Sequence, residues 1–182
     1  RRLPPDRTQH PRSLLVAVAS GLLKQGEAAQ AIALLQPAIS EQPDDGLLLL
    51  LSRALAMDGQ FDAAEQVLEA VKDREANKTA LSGAKAHIAF LRQAEGMPAR
   101  EVLEQRVQQD ADDSEAVYQL SVVDLASQRH AEALAALLDL FQRDRGYAEG
   151  TPHRALLEVF NVLGSDHPLT IEYRRTLYQA LY

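Results

Sequence analysis

Small residues return along this chain about once every 34 positions, and that period limits the fold more than any other feature. With Arg12 as position 1, Ala19 falls at position 8, Ala31 at 20, Leu35 at 24, Ala38 at 27 and Pro43 at 32. A second repeat from Asp45 places Ser52 at 8, Gly59 in the turn, Phe61 just after it, Ala64 at 20 and Leu68 at 24. One from Ser114 puts Leu120 and Ser121 at 7 and 8, Ala133 at 20 and Leu137 at 24, with Tyr118 and Val122 on the same helix. A weaker repeat from Ala80 carries Ala99 and Leu103 at 20 and 24, with bulky His87 where a small residue is expected. The starts at 12, 45, 80 and 114 are therefore spaced by 33, 35 and 34 residues. Such a unit is long enough for two helices and two turns. Alanine at the crossing lets two backbones approach while leucine fills the flanks.

The turns agree with that reading. Gly26 and Gly59 punctuate two hairpins, and Asp44 with Asp45, then Asp112, Asp113 and Ser114, stand where helix starts favour capping side chains. No alternating run long enough for a strand interrupts them. The pattern resembles the tetratricopeptide repeat, so the expected fold is all-α, about ten helices, with some four helix pairs over residues 12–145. Residues 146–182 read differently, as a closing hairpin. Thr151 is expected to cap its first helix with Pro152 in the first turn, Gly164 to end it, and Pro168 to open the second.

Charge and composition narrow the function. Acidic residues outnumber basic ones, 26 to 19, along the whole chain, and no basic stripe is present to hold a phosphate backbone, so nucleic acid is not an expected partner. With no cysteine, the chain has no thiol redox chemistry and no thiolate metal site. His10, His87, His130, His153 and His167 lack metal-ligand spacing. The run DADDSE from Asp110 lacks the glycine and glutamate of a calcium loop and reads as helix capping. The NKT at Asn77 is a short sequon match with nothing else to suggest secretion. No phosphate loop or nucleophile motif occurs, so neither enzymatic activity nor a bound cofactor is expected.

The opening RRLPPDRTQHP is broken by Asp6 and three prolines and is followed by no small-residue cleavage site, unlike a secretory leader. Residues 1–11 read instead as a Pro-rich linker from a preceding domain. Uninterrupted apolar runs such as Leu47 to Leu51 are far shorter than the ~20 residues needed to span a bilayer. No membrane association is expected.

The ending narrows the resemblance further. Asp144, Gly150, Arg154, Phe160, Leu163, Gly164, Pro168 and Leu169, followed by YRRTLYQALY, are similar to the C-terminal end of the bacterial chaperedoxins, the family called CnoX or YbbN. Members carry a thioredoxin-like domain ahead of tetratricopeptide-like helices, and the Pro-rich opening is expected to be the linker that follows such a domain. The architectural likeness covers essentially the whole chain, and its specific motif only about the last 40 residues. It implies a cytoplasmic holdase and co-chaperone that passes unfolded clients to the chaperonin GroEL and to the Hsp70 system. It also implies that the terminal helix docks on the chaperonin, a role that falls on Arg174, Arg175, Leu177, Tyr178, Leu181 and Tyr182. Two other functions stay open: a scaffold joining fixed partners without chaperone activity, and an accessory domain of a thioredoxin-like oxidoreductase.

Helical geometry makes the same ending unusual. At about 100° per residue, Leu169, Tyr173, Leu177, Ala180 and Leu181 share an arc of roughly 120° that can pack inward, while Ile171, Tyr178 and Tyr182 widen the apolar surface by about another 100°. Either a partner covers the excess, or two neighbouring helices sandwich it. In tetratricopeptide arrays the first helix of each repeat lines a concave groove. Here that selects Val16, Leu23, Leu49, Met57, Leu81, Ile88, Leu91, Tyr118, Val122 and Leu125 as a client groove, mostly apolar and lacking a carboxylate clamp. The chain's own terminal hairpin, or a preceding domain, would be the alternative occupant.

Overall fold

A computed structural model describes residues 9–182, with side chains from residue 11. The first eight residues of the expected linker lie outside the described residues. Its last three do not form a linker, because α1 begins at Gln9 and takes Pro11 into its first turn, where a missing N–H costs no helix bond.

The chain divides into two compact units at Asn77 and Lys78. The N-terminal unit holds α1 (Gln9–Lys24), α2 (Ala28–Glu41), α3 (Asp45–Met57) and α4 (Phe61–Glu69). Each helix packs on the next, and α1 also lies beside α3, the stacking expected of two consecutive helical repeats. Gly26 and Gly59, at φ +81° and +79°, make the left-handed turns within the two hairpins. Asp44 caps α3 by accepting the Leu47 N–H at 3.0 Å, and the Arg12 guanidinium, 2.6 Å away, ties the cap to α1. The Arg12 hydrogen bond holds the Asp44 carboxyl below its ordinary range. Asp45 serves a different end. Its carboxylate accepts the Lys72 and Asp73 N–H groups, both at 2.9 Å, and folds the segment after α4 back onto the start of α3.

The C-terminal unit holds α5 (Lys78–Ala94), α6 (Arg100–Gln109), α7 (Ser114–Ala126), α8 (His130–Arg143), a 3-10 turn (Tyr147–Gly150), α9 (Thr151–Leu163) and α10 (Pro168–Leu181). The described residues are thus all-α and tetratricopeptide-like, with ten α-helices. α7 pairs with α8, and α8 carries α9 and α10. Phe90, Leu134, Leu137, Phe141, Leu156, Phe160 and Leu177 build a core cluster in this unit.

The repeat arithmetic has a direct image in burial. Ala19, Ala31, Leu35, then Ser52, Ala64, Leu68, then Ser121, Ala133 and Leu137 are all sealed from solvent. In the second repeat the contact is chemical as well as steric, since the Ser52 hydroxyl at position 8 donates to the Ala64 carbonyl at position 20 across the hairpin, at 2.8 Å. The repeat at Ala80 departs from this. Ala99 is exposed and only precedes α6, while His87 is buried with its Nε2 3.1 Å from the Ala126 carbonyl. α5 packs along α7 and α9, and α6 along α7. Arg100 of α6 grips the buried Asp124 of α7 through Nε at 2.7 Å, and this bond raises the guanidinium further above its ordinary range.

The closing hairpin corrects one assignment. Gly150, not Thr151, caps α9; it lies at φ +79° after two residues, Ala148 and Glu149, that also adopt left-handed backbone. The Thr151 hydroxyl is turned back to donate to the Ala148 carbonyl instead of accepting a backbone N–H of α9. Arg154, one turn along, bonds the Glu149 carbonyl and Thr151 Oγ, each at 2.8 Å, and braces this strained corner. Gly164 at φ +88° ends α9, and His167 Nδ1 accepts the Leu169 N–H at 3.2 Å ahead of Pro168. α10 therefore starts on a fixed corner.

Candidate interaction surface

α10 has two faces with different fates. Leu169, Tyr173, Leu177 and Ala180, spaced by four, four and three residues, point at the core, and the helix rests on both α8 and α9. The contact with two neighbours, offered above as the alternative cover for the apolar excess, is therefore present on this side. It leaves the other face uncovered: Ile171 is 60% exposed, Tyr178 64%, Tyr182 93% and Leu181 40%, with Arg174 and Arg175 exposed beside them.

The division corrects the docking set at one residue. Leu177 is only 4% exposed and belongs to the core, because its spacing from Tyr173 and Leu169 puts it under the helix. Leu181, placed by helical spacing on the inward arc, sits instead at the rim. The Tyr178 and Tyr182 rings, one turn apart, lie with centroids 5.2 Å from each other and form a small aromatic ledge. The Arg174 guanidinium lies over the Phe160 ring, 5.5 Å from its centroid, so its charge is held against the surface by a buried aromatic.

Sequence reading missed Arg145. Its guanidinium donates to the Ala180 carbonyl at the end of α10 and lies 5.5 Å over the Phe141 ring. The last carbonyls of a helix have no partner within it, so this arginine holds the terminal turn in place below the tyrosine ledge. The contact spans 35 residues, and no local pattern signals it.

The proposed client groove fares differently in each unit. In the N-terminal unit Leu23 is buried, while Val16, Leu49 and Met57 are half-buried. In the C-terminal unit Leu81, Ile88, Val122 and Leu125 are buried, and Leu91 and Tyr118 are half-buried. These five buried residues are core and cannot line an open groove. The reason in the C-terminal unit is that α7 and α9 pack along α5, and a Cβ added at Gly83 of α5 would stand 3.1 Å from the Val162 carbonyl of α9. The terminal hairpin thus takes the place a client would need on α5. Tyr118 packs near Tyr147, centroids 6.0 Å apart, and burial raises its phenol above the ordinary value.

Among the described residues no helix is long and apolar enough to cross a membrane, and no group of three or more His, Asp or Glu is placed to hold a metal. Burial pushes His130 below its ordinary value, with His87 and His167 adding to the effect.

Comparison with known proteins places the chain in a class. Two family models, both described as tetratricopeptide repeat, match it, one over residues 22–88 and the other over 93–182. The chain is a tetratricopeptide-like helical repeat domain, and such repeats make a scaffold for protein–protein interaction. Among solved structures it is similar to a domain of protein VP0806, of unknown function, from Vibrio parahaemolyticus RIMD 2210633, at 27% identity over 93% of this chain and 99% of that one, with a TM-score of 0.41. It is also similar to a MamA RS-1 ArsTM double mutant, at 20% identity over 93% of each chain, with a TM-score of 0.40. Comparison with curated proteins gives no match. The two family matches reach the repeat class and stop short of the chaperedoxin family.

Proposed function

We propose that this chain is the protein-binding part of a chaperedoxin-type co-chaperone, and that the outer face of α10 docks on the chaperonin GroEL. One observation carries the reading: a helix already packed on two neighbours still presents Ile171, Tyr178, Leu181 and Tyr182 to solvent beside two arginines. Exposed tyrosine and arginine around an apolar centre are the types that dominate binding energy at protein interfaces. The resemblance of YRRTLYQALY to the family ending supports the same role. Unfolded clients, and the Hsp70 system beyond them, are the remaining partners of this reading, with a cytoplasmic location. Because five groove candidates are buried, client binding is assigned to the half-buried Val16, Leu49 and Met57 and to the exposed Leu14 and Val18 of α1. The same burial favours a second reading, a scaffold for fixed partners with no holdase activity.

Titration of GroEL with the chain tests the docking. The variant Tyr178→Ala with Tyr182→Ala should lose about 30-fold or more in affinity, on the scale of ~2 kcal/mol per hot-spot aromatic, while keeping its helical spectrum and melting transition. A folded variant that binds as tightly as the parent would refute the assignment. Suppression of client aggregation, followed by light scattering at several-fold molar excess, separates the two readings. No suppression favours the scaffold.

A further inference from the structure

We infer that the partner segment seated on α10 is acidic beside its apolar residues, and that its carboxylate enters a cationic pocket between α5 and α10. The inference rests on the docking reading above and names the chemistry of what docks.

The pocket, of about 200 Å³, is lined by Lys78, Thr79 and Ser82 of α5, by Asn161 and Ser165 at the end of α9, and by Arg174 of α10. A second hollow of about 330 Å³ shares Ser165 and Arg174 with it and adds Ile171, Arg175 and Tyr178. The shared residues make the two hollows one track, polar at the α5 end and apolar along α10. No carboxylate lines either hollow, although the chain carries 26 acidic residues against 19 basic ones. Lysine and arginine can only donate, and the hydroxyls and the Asn161 amide can turn donors inward. The first turn of α5 adds the partial positive charge of its unpaired N–H groups.

The cations of this track are also not spent on the chain itself. Arg12, Arg100, Arg106 and Arg143 each hold a carboxylate. Among the described residues, Lys78, Arg174 and Arg175 form no ion pair, and the Arg174 guanidinium is held over the Phe160 ring, 5.5 Å from its centroid. A planar fork held in this way suits a carboxylate. A protein segment is the occupant because a free anion would fill the polar end and leave the Ile171 and Tyr178 hollow empty. A segment with an Asp or Glu next to a Leu or Phe fills both.

Binding to intact GroEL decides this with Lys78→Glu, an exposed position outside the tyrosine ledge. The variant should fold normally and lose about tenfold in affinity at low salt, with much of the deficit gone at high salt. Tyr178→Ala should lose affinity at both. If Lys78→Glu binds like the parent while Tyr178→Ala does not, docking stands and the acid pocket is wrong. If the parent does not bind GroEL, the docking reading fails, and NMR titration with two short capped peptides, Asp-Leu-Leu and Lys-Leu-Leu, judges the pocket alone. The acidic peptide should shift the Asn161 side-chain amide and the Ser165 N–H, and the basic one should not. Equal shifts from both, or shifts from inorganic phosphate that the acidic peptide fails to displace, overturn the inference.

Discussion

The second repeat and the third have nearly the same length and spacing, yet they are built differently. In the second, Ser52 and Ala64 meet across the hairpin and α3 pairs with α4. In the third, the position matching Ser52 holds His87 and the position matching Ala64 holds Ala99, which is exposed. Close helix pairing needs a small residue on both sides of the crossing. When one side is an imidazole, the helix seeks wider partners, and α5 lies along α7 and α9. A repeat period alone therefore does not imply a repeated contact.

That contrast can be broken by substitution, beginning with the largest effect. Ala64→Leu, at a fully buried crossing, should destabilise by about 3 kcal/mol, whereas Ala99→Leu should stay within about 0.5 kcal/mol. Denaturant titration of both checks it, and similar losses would mean that α5 and α6 pair like α3 and α4. His87→Ala comes next. If the third repeat were regular, restoring a small residue would stabilise it; the buried ring bonded near Ala126 instead predicts a loss of about 2 kcal/mol, read from the melting transition. Ser52→Ala should cost about 1 kcal/mol, because it removes one buried hydrogen bond while the Ala64 carbonyl keeps its place in α4.

The smallest effect is that of acid. Asp44, Asp45 and Asp113 are all held below the ordinary carboxylate value of 3.8, Asp44 mainly by Arg12, Asp45 by the Lys72 N–H and Asp113 by the Ala116 N–H. A folded-state value below the unfolded one stabilises the fold above about pH 4 and withdraws that support as pH falls through 3.8 and below. Melting temperature against pH should stay flat near neutrality and drop in that window. Asp44→Asn and Asp45→Asn should flatten the drop, since the start of α3 holds two of the three groups.

Much of this was legible from local pattern. The small residues at positions 8 and 20 and the leucine at 24 marked the crossings of three repeats, because alanine and serine in otherwise bulky apolar helices mark backbone approach. Asp44 and Asp113 were legible as caps, as their side chains answer N–H groups three residues away. The outer face of α10 was legible from an apolar arc too wide for one neighbour. The groove was not. Leu23, Leu81, Ile88, Val122 and Leu125 carry the pattern of a lining helix, and nothing in that pattern says whether another helix will cover it.

The sequence by itself determined the helices, their turns and the all-α repeat class, since these depend on residues within about one turn or one hairpin of each other. Tertiary structure alone decided which helix covers α5, that Leu177 is core while Tyr178 one residue later is surface, and that Arg145 closes a helix 35 residues away. The physical reason is distance along the chain. Helix periodicity and capping act over three or four residues, whereas burial depends on which distant backbone can approach, and here Gly83 beside the Val162 carbonyl allowed α9 to do so.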